Sequence, residues 1–353
     1  MTNIELPVWG YILMALGLVA FIGMIVWYIR KNRGIKRPVF ASPYVLWIII
    51  FTVVPLLLIG YYAFTDVNGN LTLDNFYSFY DSNYADRQNS LEDIQEELAY
   101  EQELAAEDPT YVPRTEQEIL EDWDLGYGNI YVSTFTRSLW MAFLCTVICL
   151  LLAYPAALFM ADREIKEGAV LIVLFIVPMW MNFLLRTVAL MAVLEENGVL
   201  NAILGWFGLG KQSILNTPEA VMLGMVYNFL PFMVFPIYNV LNKMDYRLNE
   251  AAMDLGCNRW QTLYKVTMPL SIPGVVSGIT MVFMPAVTTF YISKLLGGNK
   301  VTLFGDLIEK KFLGISMAEW NRGSAMSLIM VILMLLSLGI LRKADPKGEG
   351  GTA

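Results

Sequence analysis

Glu250-Ala251-Ala252-Met253-Asp254-Leu255-Gly256 is followed, after nine more residues, by Val266-Thr267-Met268-Pro269. These residue types at this spacing suit non-covalent docking. Residues 246–255 are predicted to form one short helix, with Ala251, Ala252 and Leu255 on one face. Gly256 can take a positive φ and stop that helix. Trp260 to Val266 are predicted to form a second short helix, and Pro269 opens a longer one at its first turn. Small side chains at Ala251 and Ala252 let a partner's backbone approach closely. Glu250 offers a carboxylate for a polar or ionic contact. The expected product is a helix–turn–helix knob.

Other chemistry is sparse. The chain has no histidine, which removes the commonest general base and the commonest metal ligand. Its three cysteines form neither a disulfide framework nor a zinc spacing. Cys145 and Cys149 share a helix face and read as core packing, and Cys257 falls in the knob. Gly205-Trp206-Phe207-Gly208-Leu209-Gly210-Lys211 matches the Gly-x4-Gly-Lys of a phosphate loop. Gln212, however, stands where Ser or Thr would bind magnesium, and no strand precedes the segment. No catalytic residue, metal or cofactor is therefore expected on this chain.

What must position the knob is a set of membrane helices. Of the 353 residues, 56% are hydrophobic and 16% charged. Seven runs stand nearly free of charge: Gly10–Ile29, Pro43–Phe64, Ser138–Met160, Ala169–Leu194, Ala220–Leu241, Leu270–Ile292 and Ser324–Ile340. About 20 apolar residues cross the hydrocarbon core as a helix. Backbone groups in lipid must bond internally, so each run is expected to be helical. Arg186 is the one charge well inside a run. At mid-membrane it costs about 2.5–3.5 kcal/mol, so it should face protein or water. It lies about 12 Å of helix from Leu194, so its side chain can also snorkel outward.

Positive charge orients the spans. With the N-terminus outside, the inside segments hold 14 Lys/Arg and the outside segments nine. The cluster Arg30, Lys31, Arg33, Lys36, Arg37 directly follows the first run and weighs most. Ser293–Gly323 is the exception, with five basic residues on the outside. The first run has no positive n-region and no small-residue cleavage site, so it reads as an uncleaved anchor. The net charge of −8 is concentrated, because residues 65–137 hold 17 acidic and three basic residues. That outside insertion is too poor in apolar residues to bury an independent core.

The Glu250–Pro269 pattern resembles the cytoplasmic EAA loop of type I ABC import permeases: Glu-Ala-Ala, three residues, Gly, nine residues, then Ile-x-Leu-Pro. Val266 and Met268 replace the Ile and Leu and keep the apolar character. Three stretches narrow the resemblance to the B-type permease subunit of spermidine/putrescine importers. They are Val177-Pro178-Met179-Trp180-Met181-Asn182-Phe183-Leu184-Leu185-Arg186, Tyr227 to Tyr238 with Pro231 and Pro236, and Met284-Pro285-Ala286 through Phe290-Tyr291-Ile292-Ser293 to Gly297-Gly298. It runs from about Ser42 to Leu341.

The resemblance implies an all-α membrane protein of the bacterial inner membrane. It implies a six-helix permease core at 43–341, to which the anchor helix and basic linker of 1–42 are extra. The acidic insertion at 65–137 is longer than that subunit needs, the coupling loop covers 242–269, and 342–353 is a cytoplasmic tail. In that family the knob sits in a groove of an ATPase subunit, through residues here numbered Glu250, Ala251, Ala252, Asp254, Gly256 and Pro269. The implied partners are a homologous second permease (C-type), a pair of ATPase subunits that bind ATP and magnesium, an extracytoplasmic polyamine-binding protein and the lipid bilayer. Nucleic acid is not among them.

A polyamine path wants carboxylates, carbonyls and aromatic faces. The spans supply Trp180, Tyr227, Phe229, Phe290 and Tyr291, and Asn182 and Arg186 stand beside the first. Glu195, Glu196 and Glu219 lie at span ends, where capping and a cation site are both open. Arg186 is either a structural partner or a gate, and the insertion either a solvated surface, a cation concentrator or a dock for the binding protein. Prolines 55, 155, 178, 231, 236 and 285 either kink helices or line a path. Three rivals stand. One is the same architecture carrying another solute, such as an amino acid, sulfate or iron. The second is a proton-driven transporter, against which stand the missing histidines and mid-span carboxylates. The third is a non-transporting membrane scaffold, which would not need an ATPase-docking knob.

Overall fold

The computed structural model describes residues 44, 47–81, 94–95, 97–102, 113–115, 118–119, 129–162, 168–208, 210–298 and 300–344. The expected anchor run, the basic cluster at 30–37, most of the acidic insertion and the extreme C-terminus lie outside them. The described elements are helical, apart from an isolated antiparallel bridge between Thr65 and Leu71. Among the described residues, five stretches are long and apolar enough to cross a membrane: Ile130–Ala161, Phe183–Trp206, Pro218–Lys243, Arg259–Thr288 and Met317–Leu341. Ile49–Ala63 and Val170–Trp180 are shorter apolar helices.

The chain divides into two compact units, Met1–Asn129 with Lys311–Ile329, and Ile130–Lys310 with Met330–Ala353. In the first, α1 (Val54–Ala63) follows a π-helical turn and leads through a tight loop to α2 (Asp74–Tyr80). Asp66 organises that loop by accepting the backbone N–H groups of Asn68 and Asn70 at 2.8 and 2.9 Å. These bonds hold its carboxyl below the usual range. Further along, Arg114 pairs with Glu97 at 2.6 Å and with the buried Glu101 at 2.7 Å.

The second unit is built on three mutually packed helices, α3 (Ile130–Ala161), α7 (Pro218–Lys243) and α10 (Met268–Thr288). Cys145, Cys149, Met225, Met233 and Val282 are fully buried there. Glycines let α7 and α10 approach. A Cβ at Gly274 would sit 2.9 Å from the Pro236 carbonyl, and one at Gly278 would sit 2.7 Å from Met233 Sδ. This small-x-x-x-small stripe suits membrane helices, whose association depends on close packing. Tyr154 on α3 bonds Ser271 on α10 at 2.9 Å.

Around this core stand α4 (Gly168–Ile176), α5 (Phe183–Leu194), α6 (Val199–Trp206), α8 (Arg247–Asp254), α9 (Arg259–Thr262), α11 (Tyr291–Leu296) and α12 (Phe304–Leu313). The long α13 is Met317–Ala344. Two of the expected continuous spans are interrupted. The run Ala169–Leu194 breaks after the 3-10 turn Val177–Trp180, where Met181 and Asn182 are extended, with ψ of 149° and 131°. Pro178 lacks an N–H, and Asn182 restarts the helix by accepting the N–H of Leu184 at 2.8 Å. The run Leu270–Ile292 stops at Thr288 and resumes at Tyr291, with Thr289 extended between.

Candidate functional site

The knob forms as two short helices joined by a glycine turn. Helix α8 ends in a Schellman arrangement. The Cys257 N–H donates to the Ala252 carbonyl at 3.0 Å and the Gly256 N–H to the Met253 carbonyl at 2.9 Å. Gly256 carries the required φ of +93°. Asn258 then caps α9 in a reciprocal box with Gln261, at 2.8 and 3.0 Å. Helix α9 runs through a π-helical turn, Leu263–Thr267, directly into α10. Pro269 explains that turn, because its ring and missing N–H would break a regular α-helical turn there. Thr267 Oγ1 donates to Asn249 Oδ1 at 3.3 Å and ties the second helix back to the first.

Glu250, Ala251, Asp254, Gly256 and Pro269 are exposed, whereas Ala252 is turned inward and buried. The expected common face of Ala251, Ala252 and Leu255 is therefore split. Leu255, Trp260 and Tyr264 are 86%, 72% and 63% exposed. Sequence reasoning did not single out this apolar surface; its signal was bulky apolar residues in a loop otherwise rich in charge. Behind the knob a cleft of about 570 Å³ is lined by Phe159, Asp162, Tyr246, Asn249 and Trp260, among others.

The path candidates fall on two helix breaks. Trp180, 86% exposed, and Asn182 lie at the first. Arg186, one turn into α5, is buried and returns to that break, donating through Nη1 to the Pro178 carbonyl at 3.3 Å. Its Nε is buried without a partner among the described residues. Asn228 on α7 joins α5 by donating to Thr187 Oγ1 at 3.2 Å, and the Phe183 and Phe229 rings stack 6.3 Å apart. Tyr227 lies within electrostatic range of Arg186. Phe290 and Tyr291 occupy the second break, with ring centroids 4.2 Å apart. Helix α11 packs on both α5 and α7, so the two breaks belong to neighbouring elements. Glu195 and Glu196 are exposed just past α5, and Glu219 sits in the first turn of α7 beside the capping Thr217.

Sequence reasoning missed Asp306. It is buried in the first turn of α12, and its Oδ2 accepts from Ser293 Oγ and from the Leu303 N–H, both at 2.7 Å. Its Oδ1 has no partner among the described residues. Burial pushes its carboxyl above the ordinary value despite the two bonds. The neighbouring Gly305 abuts the second break, where a Cβ would sit 2.9 Å from the carbonyls of Thr288 and Thr289. An acidic residue in the first turn of a helix was the available signal, but it lay outside every apolar run.

Residues 138–347 match the family model described as "Binding-protein-dependent transport system inner membrane component". Over 228 residues the chain is 39% identical to the spermidine/putrescine transport system permease protein PotB of Haemophilus influenzae, covering 64% of this chain and 79% of that one. Over 218 residues it is 41% identical to PotB of Escherichia coli K12, covering 61% and 78%. Among solved structures, a bacterial alginate ABC transporter in complex with a periplasmic protein bound to an alginate pentasaccharide matches with a TM-score of 0.63 at 14% identity. That match covers 92% of this chain and 98% of the other. At that identity the likeness concerns the fold.

Proposed function

The chain belongs to the family of binding-protein-dependent transport system inner membrane components, and we propose that it is the permease subunit through which an ATP-driven importer takes up polyamines. It is the membrane component of such a system and not its ATPase. The substrate assignment rests on relatives about 40% identical whose names specify spermidine and putrescine. The single observation that carries the mechanism is the knob, a rigid exposed projection built into the start of a long membrane helix.

In this reading the knob seats in a groove of the partner ATPase. Glu250 and Asp254 provide polar contacts, Ala251 allows close approach, and Leu255, Trp260 and Tyr264 bury apolar surface. Gly256 and Pro269 set the angle of the knob to α10. Because α9, the π-helical turn and α10 are continuous, closure of two ATPases bound to ATP and magnesium is transmitted to the bundle without a flexible joint. The second permease is a homologue, and an extracytoplasmic binding protein delivers the substrate. The proposed arrangement is a six-helix core with one extra N-terminal helix, the N-terminus outside and the C-terminus and knob in the cytoplasm.

The two breaks are the proposed path. Each frees backbone carbonyls that an ammonium group can accept as ligands, with Trp180, Tyr227, Phe290 and Tyr291 offering aromatic faces. Arg186 holds the first break by binding the Pro178 carbonyl, and Asn182 caps it. No covalent step is needed on this chain; transport is alternating access.

The test is to purify the assembled complex from its native host, reconstitute it in vesicles and measure ATP hydrolysis with spermidine, putrescine, amino acids, sulfate and iron. Stimulation by a polyamine with its binding protein is expected. Stimulation solely by a non-polyamine would overturn the substrate, and purification without any ATPase would overturn the coupling role.

A further inference from the structure

Helix α6 presents an apolar face that no described residue covers. Val199, Ile203 and Trp206 stand at i, i+4 and i+7 and are 60%, 47% and 91% exposed. Phe207 continues the face at 77% exposure. The opposite side is pinned. Asn201 is buried, its Nδ2 donates to the carbonyls of Glu195 and Gln212 at 3.2 and 2.9 Å, and its Oδ1 accepts the Gln212 N–H at 2.9 Å. The face therefore has a fixed direction.

Two features identify what it meets. First, α6 does not continue α5. Glu195 and Gly198 are extended, with ψ of 156° and 174°, and a Cβ at Gly198 would sit 2.6 Å from the carbonyls of Ala192 and Val193. The apolar stretch Phe183–Trp206 is thus interrupted between α5 and α6, ahead of the next membrane-crossing stretch, Pro218–Lys243, and the twelve residues of α5 and the eight of α6 are separate helices. The segment Val199–Phe207 has no charge, while Glu195, Glu196 and Lys211 flank it and mark the aqueous boundary. Second, α5, which α6 follows, also exposes apolar side chains, Leu185 at 60% and Val188 at 47%.

We propose that α6 is an interfacial anchor, with Val199, Ile203, Trp206 and Phe207 lying in the headgroup–acyl boundary of the bilayer. An indole suits that depth, because its ring prefers the apolar side and its N–H the polar one. Amphipathic helices of this kind sink about 5–10 Å into the boundary. Through the Asn201 lock, the anchor fixes the depth at which α5 passes into the loop leading to α7. The inference rests on the chain being a membrane component and is independent of the polyamine reading.

The test uses the whole complex. Cys145 and Cys149 are fully buried, so replacing Cys257 by Ser prepares the chain for selective labelling. Trp206→Cys and, as a control on the polar side, Lys211→Cys each carry an environment-sensitive fluorophore. Vesicles are made of phosphatidylcholine with or without nitroxide placed near the top of the acyl chain. The expected result is a large loss of emission at position 206, little loss at 211, and no change at 206 when the binding protein is added. No lipid-dependent loss at 206, whether the label then reports water or a protein contact, overturns the proposal. If Trp206→Cys does not assemble, Phe207→Cys reads the same face with the same two outcomes.

Discussion

Asp306 and Arg186 leave water with unequal provision. Among the described residues the Arg186 side chain has one hydrogen bond, to the Pro178 carbonyl at the break. Among the described residues, Asp306 has one oxygen held by two donors and the other by none. Burial raises its carboxyl above its ordinary value, so folding disfavours the charged form relative to the unfolded chain. Its contribution to stability is then fully present below the unfolded value and is lost as pH rises through the raised one. Asp306→Asn keeps an acceptor for Ser293 and Leu303 and removes the charge. The gain in thermal stability of the variant over the parent complex is expected to grow as pH rises above the ordinary aspartate range. A stability difference independent of pH would reject this account. Arg186 was legible in the sequence as a lone charge in an apolar run. Asp306 was not, because a carboxylate in a loop reads as solvated until the fold folds α12 over the second break.

At the scale of elements, the knob depends on one backbone conformation. Gly256 has φ +93°, and a Cβ there would meet nothing within 4 Å. The cost of Gly256→Ala is therefore conformational, about 1–2 kcal/mol, with no steric clash added. Gly256→Asn is expected to cost less, since Asn visits that region more readily. Both should leave membrane insertion intact while Ala lowers binding-protein-stimulated ATP hydrolysis more than Asn does. Equal activity in Gly, Asn and Ala would show that the turn does not set coupling. The boundaries of α8 and the stop at Gly256 were readable from spacing, since helix termination is local. The inward turn of Ala252 was not, because it is decided by the packing of α8 against α9 and the following π-helical turn. The two span breaks were also hidden. A proline in an apolar run announces a lost hydrogen bond, but whether the chain bends or interrupts depends on a capping group such as Asn182.

For the whole molecule, the acidic insertion lies outside residues 138–347, which match the family model. Its described part carries local ion pairs, Arg114 with Glu97 and Glu101, and charge on it acts over only about 8–10 Å at physiological salt. Deleting residues 70–128 is expected to leave substrate-stimulated ATP hydrolysis and binding-protein affinity unchanged in the reconstituted complex. A loss of affinity would instead make the insertion part of the docking surface.

The sequence by itself determined that this chain lives in a membrane, that its membrane elements are helical, and that a knob of two short helices with a glycine stop opens one of them. Those properties follow from hydrophobic run length, from backbone hydrogen bonding in lipid and from local helix-stop chemistry, all of which act over a few neighbouring residues. Tertiary structure alone decided which runs are broken, and which side chains meet at the breaks. It also decided that Gly274 and Gly278 form the close contact of α7 with α10, and that the α6 face points away from the protein. Each depends on residues distant in the chain arriving at the same place, where a carbonyl, a methyl group or a buried amide settles what the local sequence leaves open.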